Sequence, residues 1–130
     1  MTLLESLVGV WLFTSIVYQG HELPPPNPAL KIYYEFSDTG VNTLRYYRDG
    51  EEGFCERRAV YDFSSEVLTQ EVIWVHPENA PWCAQDVDMR LGTHTQSHAW
   101  LADGRFFLEM SMGEEKIIYV WTAESPIKGL

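Results

Sequence analysis

The sequence is poor in basic residues and has no long apolar run. Its 130 residues include nine Lys and Arg against 19 Asp and Glu, which gives a formal net charge of −10. A chain with this charge repels phosphate backbones and anionic lipid heads, so we expect no nucleic-acid partner. No stretch of about 18 apolar residues is present, which predicts no transmembrane helix and no insertion into a membrane.

The sequence also lacks the short motifs on which common enzyme families depend. It contains no nucleophile elbow between a strand and a helix, no glycine loop that would cradle a phosphate, and no His-Glu-x-x-His helix. His94 and His98 lie four residues apart on a predicted strand, and the resulting distance of about 13 Å is too long for one metal ion. Asp86 and Asp88 are predicted to lie in solvent, because no glycine-spaced acidic loop accompanies them. We therefore predict a protein that is not an enzyme, with no catalytic residue, metal site or cofactor.

Only two cysteines occur, Cys55 and Cys83. They are either bridged by a disulfide, as in an exported protein, or two buried thiols, as in a cytosolic one. The first ten residues carry no basic n-region, so they do not read as a signal peptide, and the chain is either a whole cytosolic protein or one from which a signal was removed. The compartment is predicted to be periplasmic or secreted if the cysteines are bridged and a signal was removed, and cytoplasmic otherwise.

What the sequence has in quantity is apolar and aromatic side chains. Hydrophobic residues make up 45% of the chain and aromatic residues 14%. This composition excludes disorder and fits strands whose flat rings cover a pleated surface. A chain of this length buries roughly two-thirds of its unfolded surface, so we expect residues 1–130 to form one domain.

Eight short segments carry the signals of β-strands, either alternating apolar and polar residues or apolar residues on both faces. No helical period exceeds two turns. The segments are 7–18, 30–37, 41–48, 54–63, 67–76, 92–102, 105–112 and 116–122. Two longer connections interrupt the series: 19–30, whose prolines predict a stiff loop and not a strand, and 77–91. Eight strands joined in this way predict an all-β fold, an eight-stranded up-and-down antiparallel β-barrel.

The first segment contains the most informative residues of the chain, Gly9 and Trp11. A glycine two residues before a tryptophan leaves a gap where another backbone or ring can approach, and the indole fills the space beside it. We expect this pair to plug one end of the barrel. Phe13, Ser15 and Val17 extend the face that carries Trp11 and should point inward.

With Gly9 and Trp11 on the first strand, a long loop over 19–30 and eight hairpin-linked strands, the chain resembles lipocalin-like members of the calycin superfamily, small bacterial β-barrels among them. The resemblance implies an antiparallel barrel whose tryptophan lies at the closed end and whose first loop folds over the open end as a lid. It also implies that a small, mainly apolar molecule binds inside.

Aromatic, cationic and inward apolar residues on the predicted strands are the candidate ligand contacts. The set is Phe13, Val17, Tyr34, Arg45, Tyr47, Arg57, Trp74, Trp100 and Tyr119. Arg57 shares a face with the small and apolar residues of its strand, which makes it a candidate inward charge. A buried guanidinium needs a counter-charge, so these arginines suit an amphipathic guest with an acidic end. Alternatively, the arginines pair with acidic residues of this chain, Glu35, Glu56 or Glu71.

Two functions fit these observations. The first is a small-molecule binding or carrier protein, a monomer or weak dimer, that holds an apolar or amphipathic ligand inside the barrel. The second is a filled barrel without an internal ligand, acting as a protein-interaction or structural module. Cavity volume distinguishes them, because an internal pocket of about 300 Å³ or more supports the first.

Overall fold

The chain folds into a closed antiparallel β-barrel. The computed structural model describes residues 6–124, and this part of the chain contains nine strands: β1 Gly9–Tyr18, β2 His21–Leu23, β3 Leu30–Phe36, β4 Val41–Arg48, β5 Cys55–Ser64, β6 Val67–Val75, β7 His94–Ala102, β8 Arg105–Met112 and β9 Glu115–Ala123. From β3 to β9 each strand pairs with the next, β3 also pairs with β1, and β9 pairs back with β1. Eight strands, β1 and β3 to β9, close the barrel, so the predicted fold class is confirmed.

β2 is an exception to the prediction that 19–30 contains no strand. His21–Leu23 pairs with residues 16–18 of β1. The prolines begin only at Pro24, so the backbone N–H groups of the three preceding residues can still form a ladder. β3 pairs with residues 9–12 of β1, so β2 extends the same paired edge toward the end of β1.

Aromatic side chains fill one end of the barrel. Trp11 is 7% exposed and packs against Phe106, with ring centroids 5.7 Å apart. Its indole N–H donates a hydrogen bond of 2.9 Å to the carbonyl oxygen of Leu7, a buried residue just before β1. Phe36 and Trp121 belong to the same cluster and are almost fully buried. Trp11 therefore ties the chain that enters β1 to the aromatic cluster at this end.

Gly9 has a different role from the predicted one. A Cβ atom added at Gly9 would meet no other atom within 4 Å, so neither a ring nor a backbone approaches it closely. Its φ is +138°, a conformation that residues with a side chain rarely adopt. Glycine is needed here because of the backbone path into β1 and not because of a close contact.

Two β-bulges change which side chains point into the barrel. In β1 the extra residue is Thr14, since its two neighbours pair with consecutive residues of β9. In β6 the extra residue is Ile73, since its two neighbours pair with consecutive residues of β5. Paired residues point to the same side of a sheet, so each bulge reverses the alternation of the residues beyond it.

Residues 77–93 form a lid segment at the end of the barrel opposite Trp11. The segment leaves the end of β6, contains two short 3-10 helices, Pro81–Gln85 and Val87–Met89, and returns to the start of β7. Met89 is 4% exposed and belongs to the hydrophobic core, so the segment packs into the barrel. Within residues 6–124, no helix is long and apolar enough to cross a membrane.

The lid segment is held to β5 by a covalent bond and by hydrogen bonds. A disulfide joins Cys55 to Cys83, with Cα atoms 5.7 Å apart, which confirms the bridged alternative of the sequence analysis. The Asn79 side chain accepts from the backbone N–H of Glu56 at 2.8 Å and donates to its carbonyl oxygen at 3.1 Å. These contacts fix the segment over the residues of β5 that point inward.

Candidate ligand-binding site

A cavity of about 840 Å³ extends from the barrel interior, below the lid segment, to the side of the barrel. This volume lies within the range of small-molecule sites. One part of its wall is apolar, formed by Leu30, Ile32, Leu44, Leu108 and Met110. The other part is polar and includes Arg57, Gln70, Asp88, Thr95 and Ser97. A guest in this cavity would contact both kinds of surface.

Arg57 is the charged group on the polar wall, and it is only 2% exposed. Its guanidinium donates four hydrogen bonds to neutral oxygen atoms. The acceptors are Asn42 Oδ1 at 2.5 Å, Tyr34 Oη at 3.2 Å, Gln70 Oε1 at 3.3 Å and the carbonyl oxygen of Asp88 at 3.2 Å. A guanidinium has five N–H groups, so at least one is left for another acceptor.

No carboxylate of the described residues lies within 4.0 Å of the Arg57 guanidinium. The alternative that an arginine pairs with a glutamate of the chain holds for Arg45, whose Nη1 is 2.7 Å from Glu56 Oε1. It does not hold for Arg57. The Asp88 carboxylate is near enough for its charge to interact with that of Arg57, but the buried guanidinium makes no direct ion pair with a carboxylate of the described residues.

Tyr34, Asn42 and Gln70 form a network that orients Arg57. Tyr34 Oη and Asn42 Nδ2 both donate to Gln70 Oε1, the latter at 2.7 Å. Burial raises the pKa of Tyr34, and the opposing effect of the Arg57 charge is smaller. Tyr34 therefore stays a neutral donor at physiological pH, and the network holds the guanidinium in one position.

Asp86 and Asp88 lie in the lid segment and line the cavity, so the prediction that they lie in solvent is wrong. Asp86 accepts hydrogen bonds from Tyr46 Oη at 2.6 Å and from the backbone N–H of Asp88 at 2.9 Å. Among residues 6–124, no group donates a hydrogen bond to the Asp88 carboxylate. The same part of the chain has no group of three His, Cys, Asp or Glu side chains placed to hold a metal ion.

Burial raises the pKa of the Asp88 carboxyl, the neighbouring Asp86 carboxylate raises it further, and Arg57 opposes both effects. The folded protein therefore keeps the Asp88 proton to a higher pH than the unfolded chain. The stability that this gives is present below the unfolded pKa of about 3.9 and is lost as the pH rises through the folded pKa. Ionised Asp88 is thus a cost to folding near neutral pH.

Asp88→Asn is expected to raise the free energy of unfolding at pH 7, because asparagine at this position never ionises. The gain should disappear near pH 3, where Asp88 is protonated in both states. Urea denaturation at pH 3, 5 and 7 measures the difference. Asp62→Asn, at an exposed position, is the control and should show no such trend. A lower stability of Asp88→Asn than of the wild type at pH 7 would contradict the expectation.

Four of the nine candidate ligand contacts point into the barrel: Phe13, Tyr34, Arg57 and Tyr119. Three of them, Tyr34, Arg57 and Tyr119, line the cavity itself. Phe13 stacks on Tyr119 with ring centroids 4.8 Å apart and supports that wall from the core. The structure thus brings together one buried charge and three aromatic rings from the predicted set.

The other five candidates lie on the outer face, so their predicted inward position is corrected. They are Val17, Arg45, Tyr47, Trp74 and Trp100. The two bulges explain Val17 and Trp74, because each follows the extra residue of its strand. Ser15 is outward for the same reason, and its hydroxyl donates to Glu22, which is bound to Arg105 on the outer face.

Strand pairing explains the remaining outward candidates. Arg45 and Tyr47 alternate with Leu44, which lines the cavity. Trp100 pairs with Phe107, and the two rings stack in parallel with centroids 5.3 Å apart, next to the inward-pointing Phe106. These side chains cover the outside of the sheet.

The barrel wall opens between β7 and β8. Their ladder ends at the pair of Ala99 and Leu108, although β8 continues to pair with β9 as far as Met112. Beyond this pair, Gln96 and Ser111 line the cavity, although both lie at positions of the outer face of their strands. The cavity therefore extends through the gap to the side of the barrel.

The loop that follows β1 is not the main lid. From 19–30 only Leu30 lines the cavity, and most of the loop is exposed. Asp86 and Asp88 of the segment 77–93 line it instead. The implied lid is corrected in this respect: the second long connection covers the open end, because the disulfide and Asn79 hold it there.

Sequence reasoning missed four polar residues that contact Arg57 or line the cavity beside it, namely Asn42, Gln70, Asp86 and Asp88. One signal was available for the first two. Asn42 and Gln70 share a strand face with apolar residues, and a polar side chain at an inward position of a barrel strand is unusual. No comparable signal existed for the aspartates, whose position depends on how the lid segment docks.

The chain matches no protein-family model, and no curated protein sequence matches it. Solved structures do match over nearly its whole length. A lipocalin-like protein from Bacteroides uniformis superposes with a TM-score of 0.59 at 17% sequence identity, covering 91% of this chain and 98% of that one. The fold is that of a lipocalin-like barrel. A second match, to an uncharacterized protein from Bacteroides eggerthii, has a TM-score of 0.54 at 14% identity and covers 92% of this chain and 100% of that one.

Proposed function

We propose that this lipocalin-like protein binds an amphipathic small molecule whose acidic group pairs with Arg57. The single observation that supports this most strongly is the buried Arg57 guanidinium, which lines a cavity of about 840 Å³ and has no carboxylate within 4.0 Å among residues 6–124. An acidic group on the ligand would form the direct ion pair that Arg57 lacks and would use the remaining N–H.

The rest of the cavity suits the other end of such a ligand. The apolar wall of Leu30, Ile32, Leu44, Leu108 and Met110 would remove a hydrocarbon body from water. Burial of apolar surface contributes about 25 cal/mol per Å², so the body supplies affinity while the acid group sets the orientation. The gap between β7 and β8 offers a route into the cavity.

The disulfide bears on the compartment in which the protein would bind its ligand. Structural disulfides persist in oxidising surroundings such as the periplasm or the outside of the cell. The bridge between Cys55 and Cys83 therefore favours the periplasmic or secreted alternative.

If the protein binds such a ligand, native mass spectrometry of protein purified from its own host should reveal a co-purified amphipathic acid.

Arg57→Met is expected to weaken the binding of dodecanoate by about 30-fold or more, because removing one partner of a buried charge pair costs 2 kcal/mol or more. The binding of dodecanol, which carries no charge, should change less than about threefold. Isothermal titration calorimetry at pH 7.5 measures both. Arg45→Met is the matched control, because Arg45 is the same residue type on the outer face, paired with Glu56.

The result depends on the difference between the two probes. Equal losses for dodecanoate and dodecanol in Arg57→Met would show damage to the cavity and not a lost ion pair. If the wild type binds neither probe, and native preparations contain no small molecule, the binding function should be abandoned in favour of a module that acts through its surface.

A further inference from the structure

We propose that the ligand carries a hydrogen-bond donor beside its acidic group, as in a long-chain 2-hydroxy or 2-amino acid. This inference rests on the proposed function and specifies the head group that the site accepts. It is based on two groups that face the same end of the cavity from different elements, Arg57 on the barrel wall and Asp88 on the lid segment.

The two groups are close neighbours, and one can donate hydrogen bonds to a ligand while the other can accept them. Arg57 Nε lies 3.2 Å from the carbonyl oxygen of Asp88, so the guanidinium and the Asp88 side chain border one polar region. Arg57 donates only to neutral oxygen atoms and keeps at least one unused N–H. Asp88 has a half-buried carboxylate that accepts no hydrogen bond from residues 6–124. One side of the region therefore offers donors and the other offers acceptors.

Asp86 does not share this role. One of its carboxylate oxygens accepts from Tyr46 Oη and the other accepts from the backbone N–H of Asp88. These bonds hold Asp86 against β4 and fix the turn that presents Asp88. The carboxylate of Asp88 is thus the one that a ligand donor can use.

A plain carboxylate would satisfy only half of this site. Its negative charge would pair with Arg57 and would lie near the carboxylates of Asp86 and Asp88, which repel it. A hydroxyl or ammonium group on the adjacent carbon of the ligand would face Asp88 and donate to it. The charged acceptor makes that bond strong, and the same group reduces the repulsion.

The test compares dodecanoic acid with 2-hydroxydodecanoic and 2-aminododecanoic acid by isothermal titration calorimetry at pH 7.5. The wild type should bind both substituted acids about tenfold or more tightly than dodecanoic acid, since a hydrogen bond to a charged group contributes at least that factor. In Asp88→Asn the preference should fall below about threefold, and it should persist in the control Asp62→Asn.

The outcomes separate this inference from the proposed function. If the wild type binds the three acids equally, or if Asp88→Asn keeps the preference, the donor inference is overturned while the acid-binding function stands. A preference that is lost in Asp88→Asn and kept in Asp62→Asn supports it. If none of the three acids binds to the wild type, the inference and the proposed function both fail.

Discussion

Trp11→Ala is expected to lower the free energy of unfolding by about 3–5 kcal/mol, the usual cost of truncating a buried tryptophan. The indole packs on Phe106 in the aromatic cluster and is 7% exposed. Its loss also leaves the carbonyl oxygen of the buried Leu7 without its donor, which adds to the cost. Urea denaturation at pH 7 measures the change.

Trp100→Ala is the matched control for that experiment. Trp100 is also a strand tryptophan in contact with a phenylalanine, but it lies on the outer face and is only partly buried. Its truncation should cost less than half as much as that of Trp11. Equal losses for the two variants would mean that the aromatic end of the barrel contributes no more to stability than the outer surface does.

The strand boundaries could be predicted because they depend on local signals. Val41–Arg48 was predicted to the residue, since alternation begins after one glycine turn and ends at another. The number of strands then indicated a closed barrel, because eight hairpin-linked strands can pair without leaving an edge. These inferences use only neighbouring residues, and the structure confirms the fold class.

The inward face of β4 could not be predicted, because it depends on the register of a turn. Phe36 pairs with Asn42, which leaves residues 37–41 between them. Asn42 and Leu44 therefore share the inward face of Phe36, while Arg45 points out. A turn with one residue fewer would have reversed this.

The bulges at Thr14 and Ile73 could not be predicted for a related reason. Both lie in strands that are apolar on their two faces, so an extra residue leaves no mark in the hydrophobic pattern. Val17 and Trp74 consequently have the opposite orientation from the one that simple alternation gives. In such strands, the inward positions can be assigned only when the pairing with the neighbouring strands is known.

The position of Asp88 is the part of the candidate site that could least be predicted from the sequence. It depends on the docking of the lid segment, which brings together residues about 30 positions apart through the Cys55–Cys83 bridge and the contact of Asn79 with Glu56. Cysteine count could suggest the bridge but not its effect. The bridge therefore connects the lid segment of the candidate site to β5.

The double variant Cys55→Ala, Cys83→Ala is expected to lose about 3–4 kcal/mol of stability, because a loop with a sequence separation of 28 is no longer closed in the unfolded chain. For a domain of this size the melting temperature should fall by roughly 10 °C or more. Thermal denaturation measured by circular dichroism checks this, and reduction of the wild-type protein should give the same shift as the double variant.

Amide hydrogen exchange shows whether the bridge also holds the lid segment closed. If it does, the protected amides of Cys83, Asp86 and Met89, which donate to backbone oxygens within the segment, should exchange faster in the variant by a larger factor than the amides of β8 and β9. If all amides change by one common factor, the bridge acts only through the unfolded chain. The contacts of Asn79 and Tyr46 would then suffice to keep Asp88 over the cavity, and the binding of dodecanoate would be unchanged at temperatures where the variant is folded.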